Sequence, residues 1–148
     1  MTETIKRLDK LILSCLDYIS KTSEVELAVK PSPEKWSEKE IIGHLIDSGI
    51  NNLQRFTEIQ FESKPYKIRK YNQYELVKTN DYQNSEMHEI MQLWLSINER
   101  ILKVLAILSE DSLNYKIELE AGKIKDFRFL IKDYVDHLEH HLNQIIKK

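Results

Sequence analysis

The sequence is poor in cysteine, proline and glycine. A single cysteine, Cys15, occurs among 148 residues, which excludes an internal disulfide framework and fits a reducing compartment. Only three prolines and three glycines interrupt a chain rich in leucine, isoleucine, glutamate and lysine, and this composition favours an all-α protein. The length predicts one domain, residues 1–148, that is large enough to bury a core.

Long apolar runs and an excess of one charge are also missing. No run approaches the roughly 20 apolar residues that span a bilayer, and the polar start, Met1-Thr2-Glu3, has no apolar signal core. The formal net charge is -2 with mixed signs, so no basic field is available to hold nucleic acid. We therefore expect a cytoplasmic protein that binds neither a membrane nor nucleic acid.

Apolar residues recur every three or four positions in four segments, and this spacing predicts four long helices. Their expected ranges are about Thr2–Ser20, Ser37–Glu62, Glu86–Leu108 and Asp126–Lys148. Ser37 and Glu40 form a capping-box pattern at the second start, while Ser85 and Asp126 are the expected N-caps of the third and fourth helices.

The connections between these segments differ in length. Residues 63–84 form a long connection with an expected short helix around Tyr71–Val77, and residues 114–123 suggest a short extended excursion or hairpin. A connection as long as residues 63–84 suggests a crossing between the ends of a bundle. The predicted architecture is a four-helix bundle with a long crossover between helices 2 and 3.

Three histidines fall on helix faces that are expected to be apolar. His137 and His141 are four residues apart in the last helix, where leucine would be expected, and they project from the same face. Two imidazoles at this spacing can bind one metal ion, and His44 on the second helix could supply a third ligand. A polar ring in a core is costly unless it is satisfied. The spacing alone leaves two interpretations open, a metal site or hydrogen-bonded packing histidines.

Other polar residues near these histidines carry alternative interpretations. Asp47 could orient an imidazole or be a solvated carboxylate, and Arg55 could hold a substrate carboxylate or form a surface salt bridge. Gln144 could hydrogen-bond near a metal or cap the end of the bundle. His140 projects about 100° away from His141 and is therefore expected outside the group.

Two sequence blocks resemble the DinB/YfiT-like superfamily. The first is the run from Trp36 to Ser48, WSEKEIIGHLIDS, followed by Asn52 and Arg55, and the second is HLEHHLNQI, which starts at His137. With the helix order, the resemblance covers essentially the whole chain. It implies a four-helix bundle in which His44, His137 and His141 hold a divalent metal, usually zinc or nickel. Members of the family include S-transferases that use bacillithiol or mycothiol and a maleylpyruvate isomerase, and many have no assigned activity.

Three imidazoles on one ion leave a coordination position open, as in catalytic rather than structural zinc sites. Water at that position would favour a hydrolase, and a low-molecular-weight thiol would favour a transferase. We therefore expect a metal-dependent enzyme that acts on a small molecule, with a thiol as a candidate cofactor. The alternatives are a non-catalytic metal- or ligand-binding module of a stress response and a structural bundle with neutral buried histidines. A homodimer is compatible with such a bundle, although no sequence feature requires it.

Overall fold

Four long helices form the body of the protein. The computed structural model describes residues 1–146, and the long helices are α1 (Thr2–Ser20), α3 (Glu38–Glu58), α5 (Met87–Ala106) and α6 (Phe127–Ile146). Two short helices, α2 (Glu24–Leu27) and α4 (Gln73–Thr79), lie in the connections. The predicted all-α bundle with a long crossover between the second and third long helices is confirmed. Lys147 and Lys148, which the fourth predicted helix included, lie outside the described residues.

The core lies between the apolar faces of these four helices. Helix α3 packs mainly against α5 and also contacts α6, while α1 contacts α6 and α5. The Phe56 ring of α3 lies 5.7 Å from Phe127 and 5.8 Å from Tyr134 of α6, measured between centroids. Burying a side chain of this size contributes roughly 1.5–3 kcal/mol, so these contacts fix α3 and α6 side by side. Within residues 1–146, no helix is both long and apolar enough to cross a membrane.

Two helix starts are capped by the residues expected from the sequence. At α3, the Ser37 hydroxyl accepts a hydrogen bond from the Glu40 amide at 3.1 Å, and the Glu40 carboxylate accepts one from the Ser37 amide at 2.9 Å. At α6, Asp126 Oδ1 accepts from the Phe129 amide at 2.8 Å. The capping box and the Asp126 cap are therefore confirmed, and they satisfy amides that a helix leaves unpaired.

The prediction of Ser85 as the N-cap of α5 is wrong. The N-cap position is Glu86, whose side chain makes no capping bond. Instead, the Glu24 carboxylate of α2 accepts a hydrogen bond from the Met87 amide at 3.1 Å. A residue 63 positions earlier in the chain therefore satisfies the first amide of the helix.

The second long helix ends at Glu58 and not at the predicted Glu62. Residues 59–61 form turns, and the chain then enters strand β1 (Tyr66–Lys67). The Tyr66 hydroxyl donates to Glu58 at 2.6 Å, which ties the returning chain to the end of the helix. The helix stops early because the chain must reverse to reach this strand.

A small three-stranded sheet lies outside the helical body. Strands β2 (Lys116–Glu118) and β3 (Ile124–Asp126) pair antiparallel, which confirms the hairpin alternative for residues 114–123. Strand β1 pairs parallel to β2, with Tyr66 opposite Ile117, and this pairing was not predicted. The expected short helix in the crossover is α4, where Asn72 Oδ1 accepts from the Glu75 amide at 3.2 Å. Strand β1 holds the crossover to the sheet, and α4 holds it to α3 through direct contacts.

Candidate metal centre

Helices α3 and α6 bring three histidine rings together. One ligand-capable nitrogen from each of His44, His137 and His141 lies within 4.8 Å of the other two. The ring centroids are 5.0 Å apart for His44 and His137, 4.7 Å for His44 and His141, and 4.6 Å for His137 and His141. These distances describe a nearly equilateral triangle, and we call these three residues the histidine cluster.

One pair of nitrogens in the cluster has nearly the spacing that two ligands of a single ion require. The Nε2 atoms of His44 and His137 are 3.0 Å apart. Two nitrogens bound to one zinc ion at about 2.0–2.1 Å with a tetrahedral angle are about 3.3 Å apart. His141 Nδ1 lies 3.0 Å from Gln144 Oε1, so this nitrogen donates its hydrogen and Nε2 keeps the lone pair. The cluster therefore has the donor set for one divalent ion, with its three candidate nitrogens within 4.8 Å of one another.

Burial keeps the cluster uncharged at neutral pH. Desolvation, reinforced by the neighbouring rings, lowers the pKa of His44 to about 3 and that of His137 to about 4. Desolvation also lowers the pKa of His141, against the opposing effect of the Gln144 hydrogen bond. A metal binds neutral imidazole and competes with protons for it, so the rings are already in the form that ligation needs.

Groups around the cluster orient its rings. Ser48 Oγ lies 3.5 Å from His137 Nδ1, and Asn52 donates to the Ser48 carbonyl at 2.9 Å. The Trp36 ring packs 5.1 Å from that of His44, measured between centroids. His44 is fully buried, and its Nδ1 has no hydrogen-bond partner among residues 1–146. The position of Trp36 over His44 was not predicted from the sequence.

Asp47 is neither exposed to solvent nor hydrogen-bonded to a histidine ring of the described chain. The residue is only 3% exposed, so it is not a solvated carboxylate. Its Oδ1 accepts hydrogen bonds from the Tyr82 hydroxyl at 2.6 Å and from Asn80 Nδ2 at 3.0 Å, and no imidazole of the described chain bonds to it. Asp47 faces the crossover, which places Tyr82 and Asn80 beside it. Burial raises the pKa of Asp47 despite these two hydrogen bonds.

The remaining candidate residues differ in their distance from the cluster. Gln144 bonds to His141, and its Nε2 lies 3.3 Å from His140 Nε2. His140 is exposed and lies outside the cluster, as expected. Arg55 donates to Asn52 Oδ1 and to the carbonyl of Arg69, and no carboxylate oxygen within residues 1–146 forms an ion pair with it. The surface salt bridge considered for Arg55 is therefore absent.

A cleft of about 450 Å³ opens beside the cluster. His141 and Gln144 form one part of its lining, with Glu34, Lys35 and Glu38 nearby. The rest of the lining is apolar or aromatic: Val29, Pro31, Trp36, Ile41 and Tyr74. A cleft of this size and character suits a small-molecule ligand.

A model of the DinB superfamily matches residues 2–145. The chain belongs to the DinB superfamily. A protein of Halalkalibacterium halodurans, provisionally named a metal-dependent hydrolase, is 28% identical over 122 residues, which are 82% of this chain and 70% of that protein. The family expected from the two sequence blocks is thereby confirmed.

Two solved structures share the fold of this chain. YfiT from Bacillus subtilis, described as a probable metal-dependent hydrolase with an unusual four-helix bundle topology, superposes with a TM-score of 0.87 at 19% identity, over 99% of this chain and 83% of YfiT. A mycothiol-dependent maleylpyruvate isomerase superposes with a TM-score of 0.72 at 14% identity, over 95% of this chain and 59% of the isomerase. At these identities the likeness establishes the fold, and the chemistry must be argued from the site.

Proposed function

We propose that this protein is a metal-dependent hydrolase of a small molecule and that His44, His137 and His141 hold its divalent ion, which is zinc or nickel. The observation that carries the proposal is the convergence of three neutral imidazoles from two packed helices beside a cleft of about 450 Å³. The names of the Halalkalibacterium relative and of YfiT support the hydrolase class.

A divalent ion held by His44, His137 and His141 would supply Lewis-acid chemistry and would make water a better nucleophile at neutral pH. The protein's own groups prepare the site. Gln144 accepts the Nδ1 hydrogen of His141 and so fixes that ring with its Nε2 lone pair free. Trp36 covers His44 and excludes water from that side. Ile41 and Tyr74 offer apolar surface to the unreactive part of a substrate.

A thiol-dependent transferase or isomerase is the second candidate. The fold is shared with the mycothiol-dependent isomerase, and the open position that activates water would equally accept a thiol sulfur as thiolate. The two candidates use the same ligands and differ in one requirement, because only the second depends on an added low-molecular-weight thiol.

The test is turnover of a panel of esters, amides and phosphoesters by protein that has been stripped with a chelator and reloaded with zinc or nickel. Each substrate is assayed with and without a low-molecular-weight thiol. We expect metal-dependent turnover that His137→Ala abolishes. The matched control is His88→Ala, which removes an exposed histidine of α5 and should leave turnover unchanged.

The outcomes separate the candidates. Turnover without a thiol supports the hydrolase, and an absolute thiol requirement supports the transferase. Saturable metal binding with no turnover of any substrate would favour the non-catalytic binding module. Turnover that survives both metal removal and His137→Ala would overturn the proposal.

A further inference from the structure

A second cleft, of about 500 Å³, lies between the C-terminal half of α3 and the crossover. Its lining shares no residue with the cleft beside His141. Arg55 of α3 lies on one side, and Tyr66, Tyr71 and Leu76 of the crossover contribute apolar surface. We call this the Arg55 cleft.

The Arg55 guanidinium is held by neutral partners only. It donates to Asn52 Oδ1 at 3.4 Å and to the carbonyl of Arg69 at 2.5 Å, and it lies 5.5 Å from the centroid of the Tyr71 ring. Within residues 1–146, no carboxylate oxygen lies within ion-pair distance of Arg55. Asp133 of α6 attracts the guanidinium charge from further away and so raises its pKa, but this effect is smaller than that of desolvation. Partial burial lowers the pKa of Arg55, because the charge has lost water without gaining an anion.

The acidic residues of the cleft do not neutralise Arg55. Glu58 accepts hydrogen bonds from Tyr66 at 2.6 Å and from Gln54 at 2.7 Å, so its oxygens are engaged. Glu75 lies in the first turn of α4 and is not among the hydrogen-bond partners of Arg55. The cleft therefore presents a partly desolvated cation without a paired anion, an arrangement that costs free energy in the ligand-free protein.

We propose that the Arg55 cleft binds a small molecule that carries a carboxylate, which pairs with the Arg55 guanidinium while an apolar body lies against Tyr66 and Tyr71. The guanidinium fork matches the two oxygens of a carboxylate and binds them more strongly than neutral acceptors. The volume of the cleft is typical of small-molecule sites and exceeds the need of a simple inorganic anion. None of the three residues of the histidine cluster lines this site, so carboxylate binding there requires no metal at the cluster.

The competing explanation is a purely structural role in which Arg55 fastens the crossover through the Arg69 carbonyl. The two explanations differ in charge selectivity. A binding site must prefer a carboxylate to its neutral amide, whereas a structural clamp is indifferent to both.

The experiment titrates the full-length protein with 3-phenylpropionate and, separately, with the neutral 3-phenylpropionamide. The protein is first stripped of metal with EDTA and the EDTA is then removed by dialysis, so that shifts caused by carboxylate binding to a metal at the histidine cluster are excluded and no other carboxylate competes for Arg55. Proton–nitrogen NMR follows the Arg55 Nε–H signal and the backbone amides of residues 66–72. We expect saturable shifts of these signals with the carboxylate and none with the amide.

Three variants sharpen the result. Arg55→Met should weaken carboxylate binding by at least about tenfold, because a hydrogen-bonded charge is lost, and Arg55→Lys should be intermediate because it keeps the charge but not the fork. Arg100→Met is the matched control, since it removes an exposed arginine of α5 outside the cleft and should change nothing.

Equal binding of acid and amide, unchanged binding by Arg55→Met, or no saturable shift with the carboxylate would each overturn the proposal. If Arg55→Met does not fold, the acid and amide titrations of the unsubstituted protein and of Arg55→Lys still decide. If the histidine cluster proves to bind no metal, the acid and amide titrations still test the Arg55 cleft.

Discussion

Replacing Gly43 with alanine should destabilise the protein, although alanine is the better helix former. A Cβ at Gly43 would lie 2.1 Å from Cδ2 and 2.2 Å from Cγ of Tyr82, well inside contact distance. The Tyr82 ring is buried, and its hydroxyl donates at 2.6 Å to the buried Asp47 carboxylate. The ring cannot give way to the new methyl group without disturbing that hydrogen bond.

The magnitude follows from these contacts. Overpacking a core costs about 1–3 kcal/mol, and depriving a buried acceptor of a partner costs about 1–3 kcal/mol. The intrinsic helix preference for alanine over glycine returns about 1 kcal/mol. We therefore expect Gly43→Ala to lower the free energy of unfolding by about 1–5 kcal/mol.

Urea denaturation followed by circular dichroism measures this loss, and a double-mutant cycle with Tyr82→Ala assigns its cause. In the Tyr82→Ala background the two closest contacts disappear and only the Cβ contact at 2.8 Å remains. The cost of Gly43→Ala should then fall by at least about 1 kcal/mol, because the ring clash and the loss of the Tyr82 hydrogen bond no longer contribute. An equal cost in both backgrounds, or a stabilising effect in the unsubstituted protein, would refute the reasoning.

Three further predictions follow from buried polar and titratable groups. Burial raises the pKa of Cys15 to about 12, so the thiol should react with a disulfide reagent only after unfolding, and rapid reaction of the native protein would contradict its position. Lys39 is 4% exposed and binds Glu24 at 2.9 Å, so Lys39→Met should cost about 1–3 kcal/mol in urea denaturation, and an unchanged midpoint would show that this contact contributes nothing. The pKa values of His44 and His137 are lower in the folded than in the unfolded chain. Below a pH of about 6.5 the unfolded state therefore binds more protons than the folded state. The stability that is present above that pH is lost as the pH falls towards 4. In EDTA, His44→Gln should lose less stability on acidification than the unsubstituted protein. Parallel stability–pH profiles of these two proteins would contradict the role assigned to His44.

The long helices and the identity of the clustered histidines could be predicted because both depend on local periodicity. The three-and-four spacing of apolar residues determines which face of each helix is buried, so the ranges of α1 and α5 follow closely from the sequence. His137 and His141 share a face for the same reason. Their meeting with His44 required two helices to pack, and a bundle makes that contact available.

The errors concern contacts between residues that are distant in sequence. Ser85 has the right chemistry for an N-cap, yet Glu24 from another helix satisfies the first amide of α5. Asp47 has the right spacing to orient His44, yet the crossover brings Tyr82 to it first. Local patterns specify which groups need partners, while the path of the connections decides which partners they find.

The early end of α3 and the pairing of strand β1 with β2 have the same cause. Nothing in the sequence around Tyr66 indicates that it pairs with Ile117, about a third of the chain away. That pairing requires the chain to turn back after Glu58. Parallel pairing of short strands carries little sequence signal, because two or three residues are too few to show alternation.

The central claim is that His44, His137 and His141 hold one divalent ion, and metal content tests it most directly. The protein is purified without chelator, loaded with zinc or nickel, dialysed and measured by elemental analysis, in parallel with His44→Ala and with His88→Ala as control. We predict one tightly held ion per chain in the unsubstituted protein and in His88→Ala, and none in His44→Ala. A folded protein that retains no ion, or a His44→Ala variant that retains as much as the unsubstituted chain, would contradict the account.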